Sequence, residues 1–158
     1  MAINSRLIPA DFTPIPSQAA ANAVDVHVTE VLDSPLDAVG FAVGPKSPVP
    51  SALGLDSDAL ARVGFTGALG QTLVLPQSSG PVFVAFGVGN PDEQNHASLR
   101  DAAASFARTT ERFAKIGIDL GAAFALDGAV VGQLVTEGVL LSRYRFTELQ
   151  PSASFVAL

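Results

Sequence analysis

Residues 63–91 contain no charged side chain, and this stretch limits most strongly what the chain can fold into. A stretch of that kind belongs either in a membrane or in a protein core. Glycine, proline and small polar residues interrupt it, so it lacks the roughly 20 continuous apolar residues that cross a bilayer. The interrupting residues are Gly64, Gly67, Gly70, Pro76, Gln77, Ser78, Ser79 and Pro81. We therefore expect buried strands and no membrane span.

Composition narrows the class of protein further. The chain has 158 residues, with 9 Lys and Arg against 15 Asp and Glu, and a formal net charge of −6. This length supports one domain, which buries roughly 70% of the surface that its unfolded form exposes. An acidic chain without a basic patch offers little to nucleic acid or to anionic membranes. Residues 1–16 lack the continuous apolar segment of a secretory signal, so we expect a soluble cytoplasmic protein.

Two uniformly apolar runs predict strands that are covered on both faces. They are residues 38–43 (AVGFAV) and residues 82–86 (VFVAF). In residues 24–29 valine alternates with polar side chains, which predicts a strand with one buried face. Residues 119–126 form another largely apolar run, and we expect a further strand there.

A short helix and a hairpin are predicted between these runs. The helix begins at Asp56 or Ser57, where a side-chain oxygen can cap it, and it stops at Gly64. Residues 65–69 and 72–75 are then expected to pair as a hairpin around Gly67 and Gly70, which favour a tight turn.

A long amphipathic helix is predicted next. Ser98 and Asp101 fit the S-x-x-D capping box, and apolar residues recur behind them at steps of three and four. Gly117 is expected to end this helix. The alternation of strands and helices predicts an α/β fold with a mixed, mostly parallel sheet.

The last predicted helix is apolar almost all round. It begins at Asp127 or Gly128 and runs to about Ser142. A helix of that composition is buried on more than one side. Since only one stripe can face the sheet of a small domain, the surplus apolar surface indicates a partner domain or subunit.

The sequence offers no catalytic or metal-ligating pattern. The two histidines, His27 and His96, lie far apart, and no H-E-x-x-H spacing surrounds either of them. There is no cysteine for a thiolate site or a nucleophile, no G-x-S-x-G elbow and no Walker A motif. We therefore predict no catalytic residue, no metal and no firm cofactor site in this chain.

One glycine-rich turn is a weak candidate for ligand binding. Gly87, Gly89 and Asn90 directly follow the apolar run 82–86. Glycines at the carboxyl end of a sheet strand let a backbone approach a phosphate. Asp92 stands where the third glycine of G-x-G-x-x-G belongs, so tight-turn geometry is the stronger explanation.

A cluster of cationic and aromatic residues ends the last predicted helix. It consists of Arg143, Tyr144, Arg145 and Phe146. Cations at that position complement the helix dipole, and the rings can pack, which needs no further function. The alternative is an anchor at a domain or subunit interface, where these residue types are enriched.

The carboxyl-terminal third of the chain resembles a known family. Residues 137–146 (EGVLLSRYRF) are similar to the E-G-x-x-L-x-x-Y-x-F segment that ends the amino-terminal domain of leucyl (cytosol) aminopeptidases. Residues 70–76 (GQTLVLP) resemble the family's hairpin strand, residues 82–89 its next strand and glycine turn, and residues 99–117 the long helix that follows. The resemblance covers roughly residues 24–150.

This resemblance implies a three-layer α/β/α sandwich of macro-domain type. In the family the domain precedes a catalytic domain that holds two divalent metal ions, zinc or manganese, and removes amino-terminal residues from peptides. The catalytic signature N-T-D-A-E-G-R-L does not occur in this chain. We expect a loosely ordered leader in residues 1–23, the domain itself in residues 24–149, and in residues 150–158 the start of a linker to the absent catalytic domain.

Two functional hypotheses follow from these expectations. In the first, the domain is non-catalytic and serves assembly and access to the active site. Its partners are its own catalytic domain and sister subunits in a homo-oligomer, for which a hexamer is one candidate state. In the alternative, a stand-alone macro-like module binds a nucleotide or an ADP-ribose-type ligand at the turn that holds Gly87, Gly89 and Asn90.

Overall fold

The computed structural model describes residues 24–32, 35–121, 124 and 126–144, in which helices cover a four-stranded sheet. The strands are β1 (Ala38–Val43), β2 (Thr72–Leu75), β3 (Val82–Gly87) and β4 (Ile116–Asp119). The helices are α1 (Ser57–Arg62), α2 (His96–Thr109) and α3 (Gly128–Arg143), and short 3-10 turns lie at Ser51–Leu53 and Pro91–Glu93. The expectations for residues 1–23 and 145–158 fall outside the described residues.

The sheet is mixed and mostly parallel, as predicted. Its strand order is β2-β3-β1-β4. The central strand β1 pairs in parallel with β3 and with β4, whereas β2 pairs with β3 in the antiparallel sense. The carboxyl ends of three parallel strands therefore meet at one edge of the sheet, which is where ligands bind in folds of this class.

Apolar residues pack on both faces of the sheet. All six residues of β1 are buried, which confirms the interpretation of its uniformly apolar sequence. On one face Phe41 packs in a cluster with Leu60 of α1 and with Phe65. On the other face the rings of Phe86 and Phe106 lie 5.6 Å apart, which joins β3 to α2. Helices on the two faces make the α/β fold three layers deep.

The predicted caps of the first and last helices are confirmed. The Asp56 carboxylate accepts a hydrogen bond of 2.7 Å from the amide of Ala59 at the start of α1. The Asp127 carboxylate accepts one of 2.9 Å from the amide of Ala129 at the start of α3. In both helices a carboxylate also interacts favourably with the positive end of the helix dipole.

The strand predicted for residues 24–29 is wrong. These residues form no regular secondary structure, and their valines are exposed, with Val26 at 57% and Val28 at 90% of full exposure. An alternating pattern satisfies one face of a strand, but a strand also needs a neighbour to which its amides and carbonyls can bond. No described strand pairs with this segment.

The hairpin predicted between residues 65–69 and 72–75 is also wrong. Residues 65–69 form a loop, and β2 pairs with β3 instead. The Gln71 side chain accounts for the difference, because its carbonyl oxygen accepts bonds from the amides of Thr66 and Ala68 at 2.9 and 3.2 Å. Those amides are thereby bound inside the loop.

The helix α2 begins and ends earlier than predicted. Asn95 caps it by accepting from the amides of Ala97 and Ser98 at 2.9 and 3.1 Å, and the Ser98 hydroxyl accepts from the amide of Asn95 at 2.8 Å. The capping box therefore pairs Asn95 with Ser98, and the predicted pairing of Ser98 with Asp101 is wrong. The helix ends at Thr109, so Gly117 does not terminate it.

Gly117 instead lies inside β4. The bounds predicted for that strand, residues 119–126, are therefore wrong, because it begins at Ile116 and ends at Asp119. A Cβ atom at Gly117 would lie 2.6 Å from a methyl carbon of Leu36 and 3.3 Å from one of Leu32. The missing side chain lets these leucines cover the strand. Gly121, with a φ of +50°, follows where the chain turns away from the sheet.

No helix in the described part of the chain is long and apolar enough to cross a membrane.

Candidate functional site

The glycine-rich turn lies at the carboxyl edge of the sheet, directly behind β3. Its first three amides are already hydrogen-bonded to carbonyls of the chain. The amide of Gly87 donates to Gln71 at 2.8 Å, that of Val88 to Val43 at 3.1 Å, and that of Gly89 to Gly67 at 3.0 Å. A phosphate at this turn would have to displace these partners, because backbone amides are what a glycine-rich loop offers an anion.

Close backbone contact accounts for the glycines of this turn. A Cβ atom at Gly87 would overlap the carbonyl oxygen of Ala68. Gly89 has a φ of +74°, a conformation that other residues adopt with strain. Asn90 precedes the Pro91–Glu93 turn and makes no side-chain capping bond there. The structure thus gives both glycines a local geometric role.

Gln71 organises the loop that packs against this turn. Its carbonyl oxygen also accepts from the Thr66 hydroxyl at 3.0 Å, and its amide nitrogen donates to the carbonyl of Gly64 at 3.3 Å. The sequence pattern did not single out this residue. A glutamine directly after the glycine-rich segment 64–70 is the only signal that could have indicated it, since a side-chain amide offers two donors and an acceptor.

Arg143 ties the end of α3 to the end of α2. Its Nη2 donates to the carbonyl of Thr110 at 2.7 Å and to the hydroxyl of the same residue at 3.2 Å, and its Nη1 donates to the carbonyl of Phe113 at 3.1 Å. Burial lowers the pKa of the Arg143 guanidinium from its usual value, and the negative charge of Glu111 partly opposes that shift. The group nevertheless stays charged, because an arginine does not lose its proton in proteins.

The other members of the cationic-aromatic cluster are Tyr144, Arg145 and Phe146. Tyr144 is extended and 55% exposed, so it faces away from the domain. Arg145 and Phe146 lie outside the described residues. Of the four candidate interface residues, Arg143 is therefore engaged within the domain, and Tyr144 is the one that the structure leaves on the surface.

The helix α3 leaves most of its apolar residues partly exposed. Among its 16 residues only Leu134 and Gly138 are buried. Leu141 is 73% exposed, and an open groove of about 550 Å³ runs between Val28 and the first half of the helix. Gly138 lets α3 approach α2, because a Cβ atom there would lie 2.5 Å from the carbonyl oxygen of Arg100.

A polar network borders this groove. Arg100 on α2 forms an ion pair with Glu137 on α3 at 3.3 Å, and Gln133 donates to the same carboxylate at 2.7 Å. The hydrogen bond from Gln133, followed by the bond and charge of Arg100, lowers the pKa of Glu137 from its usual value, although desolvation acts in the opposite direction.

The structure does not bring the two histidines together. His27 lies in the exposed segment before β1, and His96 is the exposed first residue of α2. Among the described residues, no three His, Cys, Asp or Glu side chains form a group that could hold a metal ion.

Comparison with solved structures finds the same fold in part of two larger enzymes. The bottromycin maturation enzyme BotP matches with a TM-score of 0.61 and 24% identity over 75% of this chain and 25% of its own. Its complex with Mn matches with a TM-score of 0.60 and 24% identity over 73% of this chain and 24% of its own. A mutant of tomato leucine aminopeptidase matches with a TM-score of 0.65 and 17% identity over 81% of this chain and 29% of its own.

This chain spans about a quarter of the length of those solved relatives. No curated protein matches it. The family model described as the cytosol aminopeptidase family, N-terminal domain, matches residues 51–152. Because that match extends over more than half of the sequence, the chain belongs to the cytosol aminopeptidase family and contains the family's N-terminal domain.

Proposed function

We propose that this chain is the non-catalytic N-terminal domain of a cytoplasmic leucyl aminopeptidase. The whole enzyme would remove amino-terminal residues from peptides by using two divalent metal ions, zinc or manganese, to activate water. The family match over residues 51–152 carries this proposal. One solved relative, BotP, is known in complex with Mn, which supports a metal-dependent parent.

The role of the domain in this proposal is assembly and access to the active site. Its partners are its own catalytic domain and sister subunits in a homo-oligomer. The surface of α3 supports this role, because a helix with so many apolar residues is usually covered on more than one side. Leu141 and Tyr144, exposed near the end of α3, give that surface its largest uncovered side chains.

Hydrolysis tests the non-catalytic assignment. The purified 158-residue chain should not hydrolyse a leucine-anilide substrate, with or without added manganese or zinc. Metal-dependent turnover that follows the protein through purification would contradict the assignment. A characterised leucine aminopeptidase assayed in the same buffer is the positive control.

A surface substitution tests the assembly role. In the polypeptide encoded by the complete reading frame, Leu141→Glu should lower the sedimentation coefficient or the peptidase activity, because a charge would enter the covered face. Val63→Glu is the matched control, since Val63 is 63% exposed at the end of α1, far along the chain from α3. Equal behaviour of the two variants would contradict an assembly role for this face.

A further inference from the structure

The helix α3 ends where the backbone becomes extended. Arg143 is the last helical residue, and Tyr144 follows with φ −63° and ψ 125°, which is extended backbone. Leu141 on the last turn of the helix is 73% exposed, and Tyr144 just after the helix is 55% exposed. Arg143 lies between them in sequence but is directed to the opposite side, toward α2.

The acceptors of Arg143 belong to the neighbouring helix and the turn behind it. Thr110 is the fully buried residue that follows α2, and Phe113 lies in the turn that leads to β4. A guanidinium has a planar, rigid set of donors, so binding two carbonyls and a hydroxyl fixes its orientation. The side chain therefore sets both the position of the last turn of α3 and its rotation about the helix axis.

Thr110 is itself held in place. Its hydroxyl donates to the carbonyl of Phe106 at 2.9 Å, and Phe106 is completely buried against the sheet. The contacts of Arg143 therefore lead through Thr110 to the core of the domain. A surface arginine that capped only its own helix would not have such a connection.

We propose that Arg143 is a positioning residue that fixes the orientation of the last turn of α3 and of Tyr144, which follows it. The inference rests on the proposed function only in the use of that orientation, which is to present Leu141 and Tyr144 to a partner domain or subunit. In this role the helix contacts of Arg143 hold Tyr144 on the surface at a defined angle.

The fluorescence of Tyr144 can be used to measure how firmly the end of α3 is held. It is the only tyrosine of the chain, which has no tryptophan, so tyrosine fluorescence arises from this one site. Time-resolved fluorescence anisotropy measures the motion of the ring on the nanosecond scale, on which chain ends move. Arg143→Gln should increase the amplitude of the fast depolarisation roughly twofold. Arg143→Lys, which keeps the charge but loses the planar donor set, should give an intermediate increase and provides a folded variant if the first does not fold.

A matched control separates positioning from general stabilisation. Leu134→Ala loosens the same helix from its buried side without touching the contacts of Arg143. At temperatures where all variants are folded, Leu134→Ala should leave the Tyr144 anisotropy unchanged. Equal mobilisation of Tyr144 in both kinds of variant, or no change in either arginine variant, would overturn the inference. Neither hydrolysis nor oligomeric state enters the measurement, so its failure would leave the proposed function untouched.

Discussion

Three glycines of α3 have different physical roles, although all lie in one helix. Gly138 is enclosed, because a Cβ atom there would lie 2.5 Å from the carbonyl oxygen of Arg100 and 3.0 Å from the Cβ of Ala103. A Cβ atom at Gly128 or Gly132 would meet no atom within 4 Å. Gly138 thus permits close helix packing, whereas Gly128 and Gly132 only weaken the helix.

Replacing these glycines should therefore have opposite effects. Gly138→Ala should lower the free energy of unfolding by about 1–3 kcal/mol, because α2 and α3 must move apart. Gly132→Ala should raise it by about 0.5–1 kcal/mol through helix propensity alone. Urea denaturation of the 158-residue chain measures both. A stabilising Gly138→Ala variant would contradict the described packing of the helices.

The titration of Glu137 provides a second test at the scale of single residues. Its pKa is lowered first by the hydrogen bond from Gln133 and then by Arg100. Since the folded state lowers this pKa, the carboxylate adds stability above the pKa of the unfolded chain, and that stability is lost as the pH falls through the folded value.

Gln133→Ala and Arg100→Gln should each raise the pKa of Glu137 toward its usual value, because each removes a cause that lowers it. Carbon-13 NMR titration of the Glu137 carboxyl carbon in each variant measures the two shifts. An unchanged pKa of Glu137 in Gln133→Ala would contradict the hydrogen bond from Gln133 as the largest cause of the shift. The side chain of Glu137 is 34% exposed, so added salt should weaken the contribution of Arg100.

At the scale of elements, the central strands β1 and β3 could be predicted because apolar residues pack on both faces of the sheet. Every side chain of β1 meets apolar atoms on one face or the other, so a run without polar residues was a sufficient signal. The partner of β2 could not be predicted in the same way. Its pairing with β3 depends on how Gln71 organises the preceding loop, and no local pattern encodes that contact.

The capping box of α2 pairs Asn95 with Ser98 in the structure, whereas the sequence pattern predicts a pairing of Ser98 with Asp101. Asn95→Ala should destabilise the chain by about 1 kcal/mol, because the first turn loses a side-chain acceptor for two amides. Asp101→Ala should change stability by less than about 0.5 kcal/mol, since Asp101 is an exposed helix residue in the structure. Thermal unfolding of the two variants decides between the registers, and a larger loss for Asp101→Ala would favour the pairing with Ser98 that the sequence suggested.

The glycine turn behind β3 gives a prediction about ligands. Titration of the chain with ADP-ribose and related nucleotides should give no saturable heat up to millimolar ligand. The amides of Gly87 and Gly89 are already bonded within the chain, and exchanging them for a phosphate would leave two carbonyls without donors. Isothermal calorimetry measures this directly, with buffer injections as the control. Saturable binding would favour the nucleotide-binding alternative over the assembly role.

At the scale of the whole molecule, the sequence supplied the family and the fold class. The match over residues 51–152 confirms the resemblance that was recognised in the segment ending at Phe146. The first strand of the sheet, β1, precedes the matched residues but still forms the centre of the sheet. The alternating pattern of residues 24–29 predicts a strand that the structure does not contain. Alternation describes which side chains share one face of a strand and says nothing about whether a neighbouring strand is there to pair with it.

The candidate site could be predicted only in part, for a physical reason. The sequence placed Arg143 at a helix end, where a cation is favourable, but its acceptors Thr110 and Phe113 lie 33 and 30 residues away. Contacts over that distance arise from packing of two helices, which no local pattern describes. Arg145 and Phe146 stay predictions.

The loop organised by Gln71 has a practical consequence for engineering the protein. Surface loops rich in glycine normally accept inserted sequence. Residues 64–71 do not have that freedom, since the loop is bonded internally and its backbone carbonyls accept bonds from the turn behind β3. In the exposed connection at residues 76–80, between β2 and β3, the Gln77 amide nitrogen donates a side-chain bond to the carbonyl of its near neighbour Leu75 at 3.0 Å. An affinity tag, a fluorophore or a circular permutation site therefore belongs at residues 76–80.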